Sequence, residues 1–329
     1  MKAELVTELR PAASLELAQV AVADHSSVAI VDLGADPHRL RRVELTSWPT
    51  EPPLVRTVVA TKNGVVASDG RRTWLLDKPG AVRIVDRTTA AIPTGAKLTP
   101  LEVPGEATGI FFKVEPLETG ARSFIGRLNW QDHRFERHPC EVGPWAQSLP
   151  GAFEPSFVDF DARGLLYVLT WPDAIAEFDV GAPFTFCDRS GEGVLLLSSS
   201  QPAAPSISLL EPSARRCNRL GVGGQNATWV TDSEFVFSAL ESGKGLCLRL
   251  FDVETRTMPR LALIQSPERE NCALETEILR FDRSSQRLLW GWSVVSEGTV
   301  AERGLIAVDL ESQEFVCISG QWWTATWTG

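Results

Sequence analysis

Short runs of Val, Leu, Ile, Phe and Trp, bounded by Gly, Pro, Asp and Ser, recur along the whole chain. No long stretch sets apolar residues at i, i+3, i+4 and i+7, the spacing that one face of a helix needs, so the pattern predicts an all-β protein. The clearest segment is PSFVDFDARGLLYVLTWPDAIAEFDVGAPFTF, residues 155–186. It reads as a strand, a tight turn at Asp161 to Gly164, a second strand, the loop Trp171-Pro172-Asp173, a third strand ending in Asp179, and a fourth. The same grammar recurs over residues 226–263, and each segment predicts a four-stranded meander.

The third strand of this unit closes on two or three apolar residues and an acid. That ending appears as AIVD at Asp32, WLLD at Asp77, EFD at Asp179, SLLE at Glu211, LFD at Asp252 and AVD at Asp309, with Leu128-Asn129-Trp130-Gln131 as a degenerate copy. Seven anchors give a mean spacing of about 46 residues, within the range of propeller blades. The chain therefore resembles the β-propeller superfamily, WD40-like or TolB-like in blade grammar, although the paired GH and WD signatures of WD40 repeats are absent. The resemblance implies one seven-bladed domain over residues 1–329. The interval from Asp179 to Glu211 is short for a full unit, so the fifth blade is expected to lack a strand and six blades stay open as an alternative.

The two ends of the chain bear on closure of the ring. The first unit has strands at Leu15 to Val22, Ser27 to Leu33 and Arg39 to Leu45, preceded only by an irregular, Pro-containing segment over residues 1–14. The last unit is complete by Ile318, which leaves QWWTATWTG, residues 321–329, over. Its Ala325-Thr326-Trp327 matches Ala227-Thr228-Trp229, the innermost strand of a clear unit. The C-terminal segment is thus expected to supply the missing innermost strand of the first blade and to remove a sheet edge at the seam.

Composition narrows the partners. A hydrophobic fraction of 43% with 22% charged residues fits a well-cored globular protein. No apolar run reaches the length that spans a bilayer, and acids interrupt any signal-like stretch near the start, so a cytoplasmic location and no membrane association are expected. A net charge of -10 argues against a nucleic-acid partner, which demands concentrated basic surface. The clusters Arg39, Arg41, Arg42 and Arg215, Arg216, Arg219 read as solvated strand edges. The six cysteines form no CxxC pair, and with no HxH, HExxH or GxSxG motif the chain offers no metal, cofactor or nucleophile signature.

Loops joining successive blades, and those joining second to third strands, share one face of a propeller, and the longest loops of this chain are assigned there. They bring Trp48, Trp145 and Trp171 together with Glu241, Lys244, Glu268, Arg269, Glu270, Glu297 and Arg303 as the candidate binding face. Tryptophan offers large apolar area with few rotors and one donor, which suits an anchor. The bland reading is that Trp48 and Trp145, each beside a proline, fold inward and pin their own loops. Glu268, Glu270 and Glu297 suggest carboxylate chemistry less than a solvated acidic rim. Asp159-Phe160-Asp161 and Asp282-Arg283-Ser284 resemble calcium ligands but sit at hairpin turns that favour Asx residues. GVGGQN at Gly221 lacks the following helix that phosphate binding needs. The expected function is a non-enzymatic platform that binds a protein partner. A hydrolase or lyase at the channel mouth and a carbohydrate-binding propeller are the alternatives.

Overall fold

The computed structural model describes residues 3–16, 18–24, 27–35, 38–45, 54–77, 82–85, 92–93, 95–103, 109–118, 121–129, 134–150, 154–161, 163–181, 184–198, 206–241, 245–265 and 272–328. Two short strands come first, β1 (Glu4–Thr7) and β2 (Arg10–Pro11). The first blade then contributes β3 (Gln19–Ala23), β4 (Ser27–Asp32) and β5 (Arg39–Glu44), and the second β6 (Thr57–Thr61), β7 (Gly64–Ser68), β8 (Thr73–Asp77) and β9 (Val82–Ile84). The third holds β10 (Lys97–Leu101), β11 (Gly109–Glu115), β12 (Ser123–Asn129) and β13 (Phe135–Val142), and the fourth β14 (Gln147–Ser148), β15 (Ser156–Phe160), β16 (Leu165–Thr170) and β17 (Ala174–Asp179). The fifth holds β18 (Phe186–Arg189), β19 (Leu195–Ser198), β20 (Ile207–Glu211) and β21 (Arg216–Arg219). The sixth is β22 (Gln225–Trp229), β23 (Glu234–Glu241), β24 (Gly245–Asp252) and β25 (Arg260–Gln265). The seventh is β26 (Cys272–Asp282), β27 (Arg287–Ser296), β28 (Thr299–Asp309) and β29 (Glu314–Cys317), and β30 (Thr324–Trp327) ends the series.

Each blade is a separate sheet whose strands pair in chain order, except that the first runs β30-β3-β4-β5. The fold is a seven-bladed β-propeller, with the C-terminal strand completing the first blade. Val20 pairs with Trp327 and Ala23 with Thr324, all antiparallel. The Trp323 amide donates to Ala23 O at 2.9 Å, and the Thr328 amide to Gln19 O at 3.0 Å. The segment over residues 1–14, expected to be irregular, instead adds fifth strands: β1 pairs antiparallel with β25, and β2 pairs parallel with β29.

The chain divides into two compact units. One comprises Ala18–Asp32, Arg39–Pro183 and Trp323–Gly329 and holds the first four blades. Its core lies between successive sheets: Ala21 and Val28 of the first blade against Val58 and Trp74 of the second, then Phe111 and Ile125 of the third against Phe157 and Leu169 of the fourth. The other unit, Met1–Leu17, Leu33–His38 and Phe184–Trp322, holds the remaining three blades. There Leu196 and Ile207 meet Trp229 and Phe235, and Leu248 and Ile264 meet Trp290 and Ile306. Second and third strands pack on both faces, which is why their sequences are runs of Val, Leu, Ile and Phe rather than alternations.

The acid that ends the repeats has a local cause. Asp252 Oδ1 accepts the amides of Glu254 and Thr255, and Asp309 Oδ1 those of Glu311 and Ser312, so each carboxylate caps the turn into the fourth strand. Asp161 and Asp282 do the same in their own hairpins. Asp179 also caps a turn, accepting from Gly181, but it ends the fourth strand of its blade and not the third. The unit read from residue 155 is therefore displaced by one strand: its true innermost strand is β14, and its last expected strand begins the fifth blade. With that frame the short interval before Glu211 disappears, and the fifth blade has all four strands.

Candidate functional site

At one end of the third and fourth blades, three connections meet. They are the turn between β11 and β12, the link 143–146 between β13 and β14, and the hairpin between β15 and β16. The register places them together, since Ser123 at the start of β12 pairs with Val142 at the end of β13. Between them a groove of about 590 Å³ runs down β16 as far as Ile175. Its walls include Val142, Pro144, Tyr167 and Leu169. Ion pairs stand at its mouth, Arg122 with Glu141 at 3.4 Å and Arg163 with Asp161 at 2.8 Å.

Trp145 sits on the link beside this groove with 58% of its surface exposed. Buried charged groups hold the chain on its N-terminal side. The Gly143 amide donates to Asp159 Oδ2 at 2.6 Å, and the buried Lys113 ammonium donates to Pro144 O at 2.7 Å. A Cβ at residue 143 would stand 3.2 Å from Asp159 Oδ2, so glycine permits this approach. On the other side the Ala146 amide turns back to Gly143 O at 3.5 Å, and the Ala146 side chain is buried in the core between the two blades. The indole is thus presented to solvent on a short, anchored turn.

The electrostatics of the clamp follow from burial. Desolvation raises the Asp159 carboxyl above its ordinary value, partly offset by the Gly143 and Phe160 amides and by Lys113. Lys113 is 3.5 Å from Glu115, which also meets Lys97 at 2.6 Å. Burial alone would raise the Glu115 carboxyl, but its bond to Lys97 and the charge of Lys113 outweigh that and lower it. A buried carboxylate on two backbone amides and a buried ammonium on a carbonyl are satisfied, position-fixing groups. They hold the link and leave recognition to what the link displays.

Among the described residues, those of the expected binding face do not lie together. Trp48, Lys244, Glu268, Arg269 and Glu270 lie outside the described residues. Trp171 does not belong to a loop between second and third strands: the displaced frame makes it the turn between β16 and β17, the third and fourth. Its half-buried ring packs edge-on against Phe111 at 5.1 Å and lies 6.0 Å from the His138 ring, so it fills core. In the other unit, Glu241 ends β23 and is paired with Arg249. Glu297 occupies the β27–β28 hairpin at φ 52°, and Arg303 lies within β28, its amide bonded to Gln321 Oε1 at 3.0 Å. Burial lowers the Arg303 guanidinium from its ordinary value, with Glu277 opposing the shift. Of the three tryptophans expected to act together, Trp145 is the one described as exposed.

Lys113 and Asp159 were not among the expected site residues. The signal for each was a charged residue inside an apolar strand, Lys113 in GIFFKVE and Asp159 in SFVDF. Every residue of SFVDF is buried. Asp161 is a turn residue as its position implied, but Asp159 is the buried acceptor for the neighbouring blade link.

No protein-family model matches the chain, and no curated protein matches it. Solved structures do. Puromycin hydrolase, solved as its S511A mutant complexed with PGG, aligns at a TM-score of 0.63 and 10% identity over 95% of this chain and 54% of that one. The chain thus spans about half the length of that enzyme. The β-propeller domain of the Trilobed protease from Pyrococcus furiosus aligns at 0.57 and 10% identity, over 90% and 87% of the two chains. Saccharomyces cerevisiae Sqt1 aligns at 0.54 and 10% identity, over 96% and 98%. At these identities the likeness is one of fold.

Proposed function

We propose that this chain is a non-enzymatic propeller that docks a protein partner at the groove between its third and fourth blades, with Trp145 as the anchor. The observation that carries the reading is the exposure of Trp145 on a link clamped by buried Lys113 and Asp159. An exposed indole on a mobile loop loses affinity to ordering, whereas one already held in place does not. Among the described residues no helix is long and apolar enough to cross a membrane. The reading places the protein in the cytoplasm, in keeping with six free cysteines. The test is affinity capture from the native host with wild-type and Trp145→Ala baits. A stoichiometric partner held by the first and lost from the second supports the platform; equal recovery on both refutes it.

A second reading, a peptide hydrolase or the propeller portion of one, is favoured by the likeness to puromycin hydrolase and to the Trilobed protease propeller. Incubation of the purified chain with a mixed peptide library, read by mass spectrometry, separates the two. Cleavage that survives repurification overturns the platform reading.

A further inference from the structure

We infer that the outer edge of β17 takes up an extended strand from a partner protein, one that carries two basic side chains and one aliphatic side chain on alternate residues. The inference rests on the reading of the adjoining groove as a docking site and names what enters it.

Outer edges of blades already accept additional strands in this protein. β1 lies along β25 antiparallel, with Glu4 opposite Gln265 and Thr7 opposite Ala262, and β2 lies along β29. Among the described strands, five other outermost strands have no such cover: β5, β9, β13, β17 and β21. Four of them carry residues that discourage pairing. Arg41 and Arg42 lie in β5, Arg83 in β9, Arg137 and Pro139 in β13, and Arg216 and Arg219 in β21. The remaining one, β17, reads AIAEFD, has no proline and is exposed at every position except Phe178. It carries only acids as its charges, Glu177 and Asp179, which oppose pairing with an acidic strand but not with a basic one.

Its hydrogen-bonding phase is set by the Val180 amide, which donates inward to Gly164 O at 3.0 Å. Main-chain groups alternate along a strand, so those of Ile175, Glu177 and Asp179 point outward. Because side chains also alternate, these three residues share one face, the face on which Ile175 pairs with Leu169 and Glu177 with Tyr167. Ile175, with Tyr167 and Leu169 on the same face, lines the groove, and Glu177 and Asp179 continue that face along the strand beyond it. An added strand would set one residue directly opposite each of them. Cross-strand pairing then selects an aliphatic group against Ile175, which is 54% exposed, and cations against Glu177 and Asp179. The cations that line the groove mouth, Arg122 and Arg163, are engaged by Glu141 and Asp161. A second copy of this chain, edge to edge, would oppose acid to acid and is disfavoured for the same reason.

The probe is an acetylated, fluorescein-labelled peptide of sequence Thr-Lys-Thr-Lys-Thr-Ile-Thr-Thr, titrated into the full chain, with amide exchange followed residue by residue. The inference expects saturable binding and slowed exchange at the Ile175, Glu177 and Asp179 amides. It also expects about tenfold weaker binding for the peptide with glutamates in place of lysines and for the Glu177→Pro variant, whose lost amide faces outward. The doubly charge-reversed variant Glu177→Lys, Asp179→Lys, which leaves every backbone group intact, should prefer the glutamate peptide. Absence of saturable binding, binding that protects no β17 amide, or equal affinity across these pairs overturns the inference. So does concentration-dependent self-association that protects the same amides. Peptide failure leaves the Trp145→Ala capture experiment standing, because that variant alters no β17 group.

Discussion

Removing the carboxylate of Asp188 should destabilise the chain far more than an average substitution. Asp188 lies in β18, the innermost strand of the fifth blade, and only 1% of it is exposed. Its Oδ2 accepts the Thr228 hydroxyl and the Trp229 amide, both at 2.8 Å, from the innermost strand of the sixth blade. Its Oδ1 accepts the Arg189 amide at 2.7 Å and Arg283 Nη2 at 3.1 Å, the latter from the first hairpin of the seventh. Arg283 also reaches Arg189 O, so one buried acid ties three blades of this unit together. Asp188→Ala leaves the Trp229 amide orphaned in the core, at about 1–3 kcal/mol. Breaking a buried ion pair from one side costs about 3–5 kcal/mol, but Arg283 is 34% exposed and recovers part of this in water. A net loss of about 4 kcal/mol is a large share of the roughly 5–15 kcal/mol that holds a domain folded. Asp188→Asn, which keeps an acceptor for the Trp229 amide, should cost less than half of that. Urea unfolding followed by tryptophan fluorescence and by circular dichroism gives both values if the two transitions coincide. A loss below about 1 kcal/mol for Asp188→Ala would refute the clamp.

The same residue carries a pH signature. Burial raises the folded-state carboxyl above its ordinary 3.8, so the stability of wild type relative to Asp188→Asn should be greatest below that value and decline as pH rises through the raised pKa; a flat difference contradicts it. Glu115 has the opposite sign: its lowered pKa means that the advantage of wild type over Glu115→Gln is present above 4.5 and is lost as pH falls through the folded value, measurable by thermal melts across pH. Deleting residues 321–329 strips β30 from β3 and removes the buried Trp322, worth about 3–5 kcal/mol by itself, so the product should be insoluble; a soluble monomer with an unchanged melting point contradicts strand closure. A thiol reagent should modify the exposed Cys317 first and reach the buried Cys187 and Cys247 only on unfolding, read by mass spectrometry.

The closing strand was legible because Ala325-Thr326-Trp327 repeats the composition of Ala227-Thr228-Trp229, and both prove to be innermost strands. Seven blades were legible because an acid closes the third strand of five of them, at Asp32, Asp77, Glu211, Asp252 and Asp309, and Asn129 closes that of the third blade. The frame slipped in the fourth blade because its innermost strand, β14, is the two half-buried residues Gln147 and Ser148, too short for an apolar pattern. With that strand invisible, the outer strand AIAEFD, which ends in its own turn-capping Asp179, passed for a third strand and carried Trp171 to the wrong turn. The N-terminal strands were hidden for a related reason. ELVT is nowhere fully buried, and RP is exposed at both positions, so neither carries a core pattern. Trp145 could be proposed from sequence, but its clamp could not. Lys113 and Asp159 reach the link from 31 and 16 residues away, distances at which only the register of neighbouring strands brings side chains together.

Trp145 as an anchor in a preset position is tested most directly by the affinity of the captured partner for three forms of the chain. Trp145→Ala should bind at least 2 kcal/mol more weakly than wild type, about thirtyfold, with its melting temperature unchanged. Lys113→Met, which removes the bond to Pro144 O without touching the surface, should weaken binding by a smaller factor through the loosened link. Full affinity in Trp145→Ala, or a lowered melting temperature with affinity intact, would contradict the account and make the indole a loop-packing residue.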